Sequence, residues 1–257
     1  MKWLSLWALW DGTLPYLGAL CIGWLLVSLA LHLLPPGSTL GQSCATAYEL
    51  VSLPYLAYMV YLGVTGYFLH DTGSIFADRI YGTSKTAKDL ALVMIAYQTW
   101  NTMICIMLPT ERSVVSIVHH VITGALCGTA KFPFMNYYCL VFMGVSEAST
   151  VALAIMNLLK SMQKAGSSWS LAYQASRVVF VVVFICVRIG VWLPASGIFW
   201  YDTLSSVYEG RHHAHGIHIS WFILFWVSNI GLTSLQLIWA RRIIKNAHGG
   251  VGGGKCK

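Results

Sequence analysis

The chain has 257 residues, of which 57% are hydrophobic and only 10% are charged. Soluble domains carry about a quarter charged residues, so this composition excludes an ordinary soluble domain and predicts an all-α, multipass transmembrane helical bundle or barrel. The formal charge of +7 does not indicate nucleic acid, because the basic residues are spread over short loops and the tail instead of one patch.

Seven apolar stretches approach the length that spans roughly 30 Å of hydrocarbon. They are Leu14–Leu34, Tyr48–His70, Asp89–Leu108, Ser113–Ala130, Asn136–Leu159, Leu171–Ala195 and Ile217–Ala240. The first is read as a span and not as a cleaved signal peptide, since it is long for such a segment and no small-x-small cleavage site follows before Pro35–Pro36. The fourth is the shortest and carries two histidines, which makes it the candidate for a re-entrant segment. The connectors are Pro35–Gln42, Asp71–Lys88, Pro109–Arg112, Lys131–Pro133, Ser161–Ser170 and Ser196–Gly216, followed by a Gly-rich tail, Gly249–Lys257. With seven spans and a cytosolic C-terminus, eight basic residues fall on the cytosolic side against six on the other, a small bias in the direction the positive-inside rule requires.

The polar residues inside these runs are the candidate site. Ionisable groups at membrane depth are costly and mark function by default. The third span carries Gln98 and Asn101 on one helical face. The fourth carries His119 and His120, with Thr123 four and three residues on and so within reach of either. The fifth carries Glu147 among Ser146, Ser149 and Thr150. The sixth carries Arg177 and Arg188, eleven residues apart in the sequence and so about three helical turns apart on one face. Arg188 is the deeper of the two, while Arg177 can snorkel from a helix end. The seventh carries Asn229 and Gln236. A carboxylate and an imidazole on neighbouring helices form an acid–base or orienting pair, which makes His119, His120 and Glu147 the catalytic candidates. Gln98, Asn101, Thr123, Ser146, Thr150 and Arg188 are the candidates for binding substrate or lipid, with Arg188 placed to meet developing negative charge.

No metal site is expected. His212, His213, His215 and His218 form one cluster, too few for a di-iron centre built from several histidine boxes, and they are read as loop histidines. A retinal pigment is excluded because Ile217–Ala240 has no lysine. The seven cysteines, Cys21, Cys44, Cys105, Cys127, Cys139, Cys186 and Cys256, are scattered singly and are read as small packing residues. Cys256 in the tail is a candidate for palmitoylation.

An ordered set of short motifs resembles the TLC-domain family, which groups TRAM, Lag and CLN membrane proteins. YGTSK (Tyr81–Lys85) precedes AYQTWN (Ala96–Asn101), which is similar to the family's GYF-x-x-D helix. HHVIT (His119–Thr123) resembles its HHxxT start, GVSEAST (Gly144–Thr150) its later acid-containing stretch, and FICVRIGVWLP (Phe184–Pro194) its helix with an Arg and a downstream Pro. The resemblance divides the chain into an extra N-terminal helix with connector (residues 1–47), a TLC-like membrane domain (48–240) and a basic, Gly-rich tail (241–257). Ceramide synthases continue from HHxxT into an HDxxD pair. Here those positions fall near Ser146, Glu147 and Thr150, so only one acid is kept, and Asn101 replaces the acid of the earlier helix.

The resemblance is therefore closer to the TLC proteins of membrane-lipid homeostasis than to ceramide synthases. It implies a helical barrel in the endoplasmic reticulum or another endomembrane that holds a fatty acyl chain or lipid. Two functions follow from it. One is an acyltransferase with acyl-CoA as co-substrate, no tightly bound cofactor, and His119 or His120 as base or acyl acceptor. The other is a non-catalytic lipid sensor, carrier or cargo-binding protein. The expected partner is a membrane lipid or fatty acyl group, with a homodimer as an admissible assembly.

Overall fold

The computed structural model describes residues 10, 12–33, 40–70, 78–108, 112–164 and 170–249, and side chains over most of that range. The expectations for the segment before Trp10, for most of the connector after Leu33, for residues 71–77, 109–111 and 165–169, and for the tail with Cys256 lie outside the described residues.

Among the described residues, seven helices are long and apolar enough to cross a membrane: α1 (Leu14–Leu33), α2 (Ser43–Phe68), α3 (Lys85–Met107), α4 (Val114–Lys131), α5 (Asn136–Met162), α6 (Ser170–Tyr208) and α7 (Ile219–Lys245). Among the described residues there is no strand. Backbone groups in hydrocarbon must bond within their own segment, so helices are the natural spanning element. The starts of α3 and α4 are marked locally. Ser84 Oγ accepts from the Ala87 N–H at 3.0 Å and Ser113 Oγ from the Ser116 N–H at 3.4 Å, which satisfies donors a helix start leaves free.

The helices close into a ring. Going round it, α2 packs on α3, α3 on α4, α4 on α7, α7 on α6, α6 on α5 and α5 back on α2; α1 lies outside, against α2 and α3. Accordingly α1 turns Ile22, Leu25, Leu26 and Leu29 outward, and α3 is the most enclosed of the spans. The seam between α2 and α5 is close. A Cβ on Gly63 would stand 2.5 Å from the Gly144 Cα, so only glycine permits that approach.

The fourth span is not re-entrant. Val114, Val115, Val118 and Val121 form an exposed stripe, while Thr123, Leu126 and Cys127 are buried, as expected of a helix with one side to lipid and one to the ring. A larger correction concerns Ser196–Gly216. This segment is not a loop: α6 runs for 39 residues to Tyr208, about 58 Å at the α-helical rise, roughly twice the hydrocarbon thickness. Its polar residues Ser196, Asp202, Thr203 and Ser206 are buried on the inner side, while Tyr201 and Tyr208 are exposed. The polar loops before α3 and after α5 are also shorter than expected, because α3 begins at Lys85 and the fifth helix continues to Lys164.

Two helices depart from regular α geometry beside the polar residues. In α5 a π turn, Leu140–Gly144, runs into a 3-10 turn, Val145–Glu147. In α6 a π segment, Ile185–Val191, precedes Pro194. Proline has no N–H to bond back to Gly190, and a wide turn accommodates the lost bond.

Candidate functional site

Polar side chains inside the ring fall into three groups. The first stands where the loop before α3, the turn between α4 and α5, and the upper part of α6 meet. Arg79 makes a two-pronged ion pair with Asp202, Nε to Oδ2 at 2.5 Å and Nη2 to Oδ1 at 2.7 Å, and the Tyr138 hydroxyl donates to the same carboxylate at 2.5 Å. The pairing with Asp202 raises the Arg79 pKa further above its ordinary value. Tyr81 shares a 2.6 Å hydrogen bond with Ser206 and stacks on His215 with 3.8 Å between ring centroids; burial raises its phenol pKa. Asn136 ties the two loops together, accepting from the Ser84 N–H at 3.0 Å and donating to the Phe132 carbonyl at 2.6 Å.

The second group is built by the irregular turns of α5 and α6. Arg188 lies 3.7 Å from Glu147 and donates to Ser149 Oγ at 2.8 Å and Thr150 Oγ1 at 3.2 Å, with its guanidinium 5.8 Å from the Trp192 ring centre. Glu147 and Arg188 are both buried. Ser146 is turned back on its own helix, donating to the Phe142 carbonyl at 2.5 Å. The expected carboxylate–imidazole pair is not formed: the charge that answers Glu147 is Arg188, and among the described residues no bond joins Glu147 to either histidine. A buried carboxylate takes the partner with the permanent charge and the larger donor set. Arg177 does not share the inward face of Arg188. It is exposed, with its guanidinium 6.0 Å from the Tyr173 ring, because the π segment between them changes the helical phase.

The third group spans α3, α4 and α7. His120 Nδ1 and Gln98 Oε1 are 2.6 Å apart, and Gln98 Nε2 points to the Met94 sulfur at 3.2 Å. An amide oxygen only accepts, so His120 donates from Nδ1 and its neutral ring carries the lone pair on Nε2. The neighbouring polar atoms are different. His119 Nδ1, Thr123 Oγ1, Asn101 Oδ1, Trp100 Nε1 and both amide atoms of Gln236 are buried with no hydrogen-bond partner among the described residues. They sit on helices consecutive in the ring. Each such atom costs about 1–3 kcal/mol if left alone in an apolar setting.

Two cavities flank the Arg188–Trp192 layer. The inner one has an empty volume of about 440 Å³ and is walled by apolar side chains including Leu126, Phe142, Trp192, Phe199 and Phe225, with Asn229 at its edge. Asn229 is held there by Trp200 and Ser196. Cys127 and Cys139 also line it, 3.5 Å apart. The outer cavity, about 660 Å³, lies between α5, α6 and α7, with Arg188, Ser149 and Thr150 at one end and Arg242 and Ile243 at the other.

His212 is buried beside His213 and Phe222. Among the described residues no three metal-ligating side chains are grouped to hold an ion. Sequence reasoning missed Asp202 and its partners Arg79 and Tyr138. The signal was present as positions recurring at helical spacing, 196, 199, 203 and 206, which are buried, in a stretch read as a connector.

These features define an integral membrane protein whose ring of helices encloses a polar, partly unpartnered interior and apolar cavities. The chain belongs to the TLC-domain family, whose model matches residues 50–245. An uncharacterized TLC domain-containing protein of Schizosaccharomyces pombe is 24% identical over 178 residues, which cover 68% of this chain and 58% of the relative. The chain thus spans less than two thirds of that relative's length. No solved structure matches.

Proposed function

We propose that this protein binds a fatty acyl chain or lipid inside its helical ring and serves membrane-lipid homeostasis, in the endoplasmic reticulum or a related endomembrane. The observation that carries the reading is the set of buried atoms on α3, α4 and α7 without a partner among the described residues: His119 Nδ1, Thr123 Oγ1, Asn101 Oδ1 and the amide atoms of Gln236. Buried polar atoms in native proteins are nearly always satisfied, and an ester or amide group of a lipid offers acceptors and donors that suit them. The apolar cavity past Trp192 is walled for a hydrocarbon tail. A ligand site of a few convergent polar groups beside an apolar hollow is the common form of a small-molecule pocket.

A second reading, acyl transfer from acyl-CoA, is favoured by one observation. Gln98 fixes the His120 ring with Nε2 as the free base, the arrangement a general base requires. Glu147 then acts through Arg188 and not on the imidazole.

Purified protein in lipid nanodiscs, labelled with a photoactivatable fatty acid, tests the first reading. The double variant Asn101→Leu, Thr123→Val is expected to reduce labelling roughly ten-fold, the scale of one or two lost hydrogen bonds; unchanged labelling would refute lipid binding there. In the same preparation, turnover of acyl-CoA with a lipid acceptor that vanishes in His120→Ala and falls in Gln98→Leu assigns the enzyme. Labelling without turnover assigns the carrier.

A further inference from the structure

The outer cavity has a composition that the histidine-centred site does not explain. Its walls are Leu153 from α5, Phe180 and Phe184 from α6, and Trp239 and Ile243 from α7. Phe180, Phe184 and Arg188 follow at intervals of four along α6, so the cavity extends about 12 Å along that helix. Its two ends differ in charge. At the inner end Arg188 is answered by Glu147 and by the hydroxyls of Ser149 and Thr150, so that end is polar but close to neutral. At the outer end Arg242 is exposed and has no ion pair among the described residues. Arg241 and Lys245, both exposed, share the same helix end. The result is an apolar trough with a cationic mouth and a hydrogen-bonding floor.

We infer that this trough binds a single-chain acidic amphiphile, with its anionic head at Arg242 and its chain lying along Phe180, Phe184, Leu153 and Trp239 towards Arg188. The guanidinium of Arg242 pairs with carboxylate or phosphate alike, so the shared chemistry is an acidic head group on an acyl chain. A free phosphate ion would gain nothing from the aromatic walls. A zwitterionic head would set its own ammonium against the cationic mouth. The volume of about 660 Å³, mouth included, falls within the usual range for a site holding one drug-sized ligand, which favours one chain over two. The trough ends at the Arg188–Trp192 layer, beyond which lies the inner cavity. The inference rests on the reading that the ring takes up lipid, and adds the head-group class and the side from which the ligand enters.

The test uses the full chain in nanodiscs of phosphatidylcholine. Binding of radiolabelled oleoyl lysophosphatidate, oleate and oleoyl lysophosphatidylcholine is compared, with inorganic phosphate as a competitor. Wild type is expected to bind both acidic probes roughly ten-fold more tightly than the zwitterionic one, the scale of a charge-assisted bond. In Arg242→Gln the preference is expected to fall below about two-fold while oleoyl-chain binding persists. Arg242 is exposed at a helix end, so folding is not at stake. Leu153→Trp, which fills the trough, is expected to remove the preference for acidic probes. Equal affinity of wild type for acidic and zwitterionic probes overturns the proposal, as does a preference that survives Arg242→Gln or Leu153→Trp. Displacement by millimolar phosphate alone overturns it in favour of a plain anion site. Failure of every acyl probe to bind wild type removes the underlying lipid reading itself, an outcome distinct from loss of head-group preference alone.

Discussion

The Arg79–Asp202 end of the ring and the histidine region treat buried polar atoms in opposite ways. At the first, both oxygens of Asp202 are bonded, by Arg79 and by Tyr138, and Asn136 satisfies the loops on either side. At the second, His119, Thr123, Asn101, Trp100 and Gln236 carry atoms without a partner among the described residues. A completed network holds a fold together. An incomplete one weakens it unless something else completes it. The difference teaches that polarity inside this ring is not of one kind: the Asp202 network is framework, and the histidine region is receptive.

The framework side is open to the largest expected effect. Asp202→Ala leaves the Arg79 guanidinium and the Tyr138 hydroxyl without their acceptor. Leaving the buried Tyr138 hydroxyl unsatisfied costs about 1–3 kcal/mol, and the lost pairing with Arg79, whose side chain is 35% exposed, adds a part that solvent screening reduces. Thermal unfolding in detergent should show a clear fall in midpoint, and Arg79→Ala with Asp202→Ala together should cost less than the sum of the two. An Asp202→Ala protein as stable as wild type would break the comparison at its stronger end.

A smaller effect is expected at the α2–α5 seam. Gly63→Ala drives a methyl group to within 2.5 Å of the Gly144 Cα, and backbone cannot yield as a side chain can. Overpacking of this kind costs about 1–3 kcal/mol. The substitution also presses on the turn that presents Glu147, because Gly144 immediately precedes the 3-10 segment carrying it. Unfolding midpoint and lipid photolabelling should therefore fall together, whereas Asp202→Ala should lower the midpoint with labelling retained below it. Parallel loss in both variants would erase the distinction between the regions.

What could be read in the sequence follows from which forces leave a local trace. Seven apolar runs, the family resemblance and the inward placement of Gln98, Asn101, Thr123, Glu147 and Arg188 were legible, because each is written in residue type and helical spacing. The partners were not. Glu147 meets Arg188 and not a histidine because a π turn and a 3-10 turn in α5, and a π segment in α6, reset the phase of both helices. A fixed period of 3.6 residues cannot register such a reset. Arg177 was assigned to the face of Arg188 for the same reason. Asp202 lies in Ser196–Gly216, which reads as a connector bearing histidines, although Ser196, Asp202, Thr203 and Ser206 sit on the buried side of a continuing helix. In a membrane protein the usual link between polarity and loops fails wherever a helix side faces polar partners instead of lipid.

The smallest structural effect is the most telling. Thr123→Val replaces a hydroxyl that has no partner among the described residues by a methyl group of similar shape. Where a hydroxyl makes a bond within the fold, this change costs about 1 kcal/mol. Here there is none to lose, and removal of an unsatisfied group at a buried position should leave the unfolding midpoint unchanged or slightly raised. Binding should respond in the opposite direction, since a hydroxyl kept at a cost to the fold is explained only by what it meets in the bound state. A midpoint at or above wild type, joined to a several-fold loss of lipid labelling, is the expected signature of a receptive residue. A variant that loses stability instead would show that Thr123 has a partner in the fold, and the histidine region would then be framework like the Asp202 end.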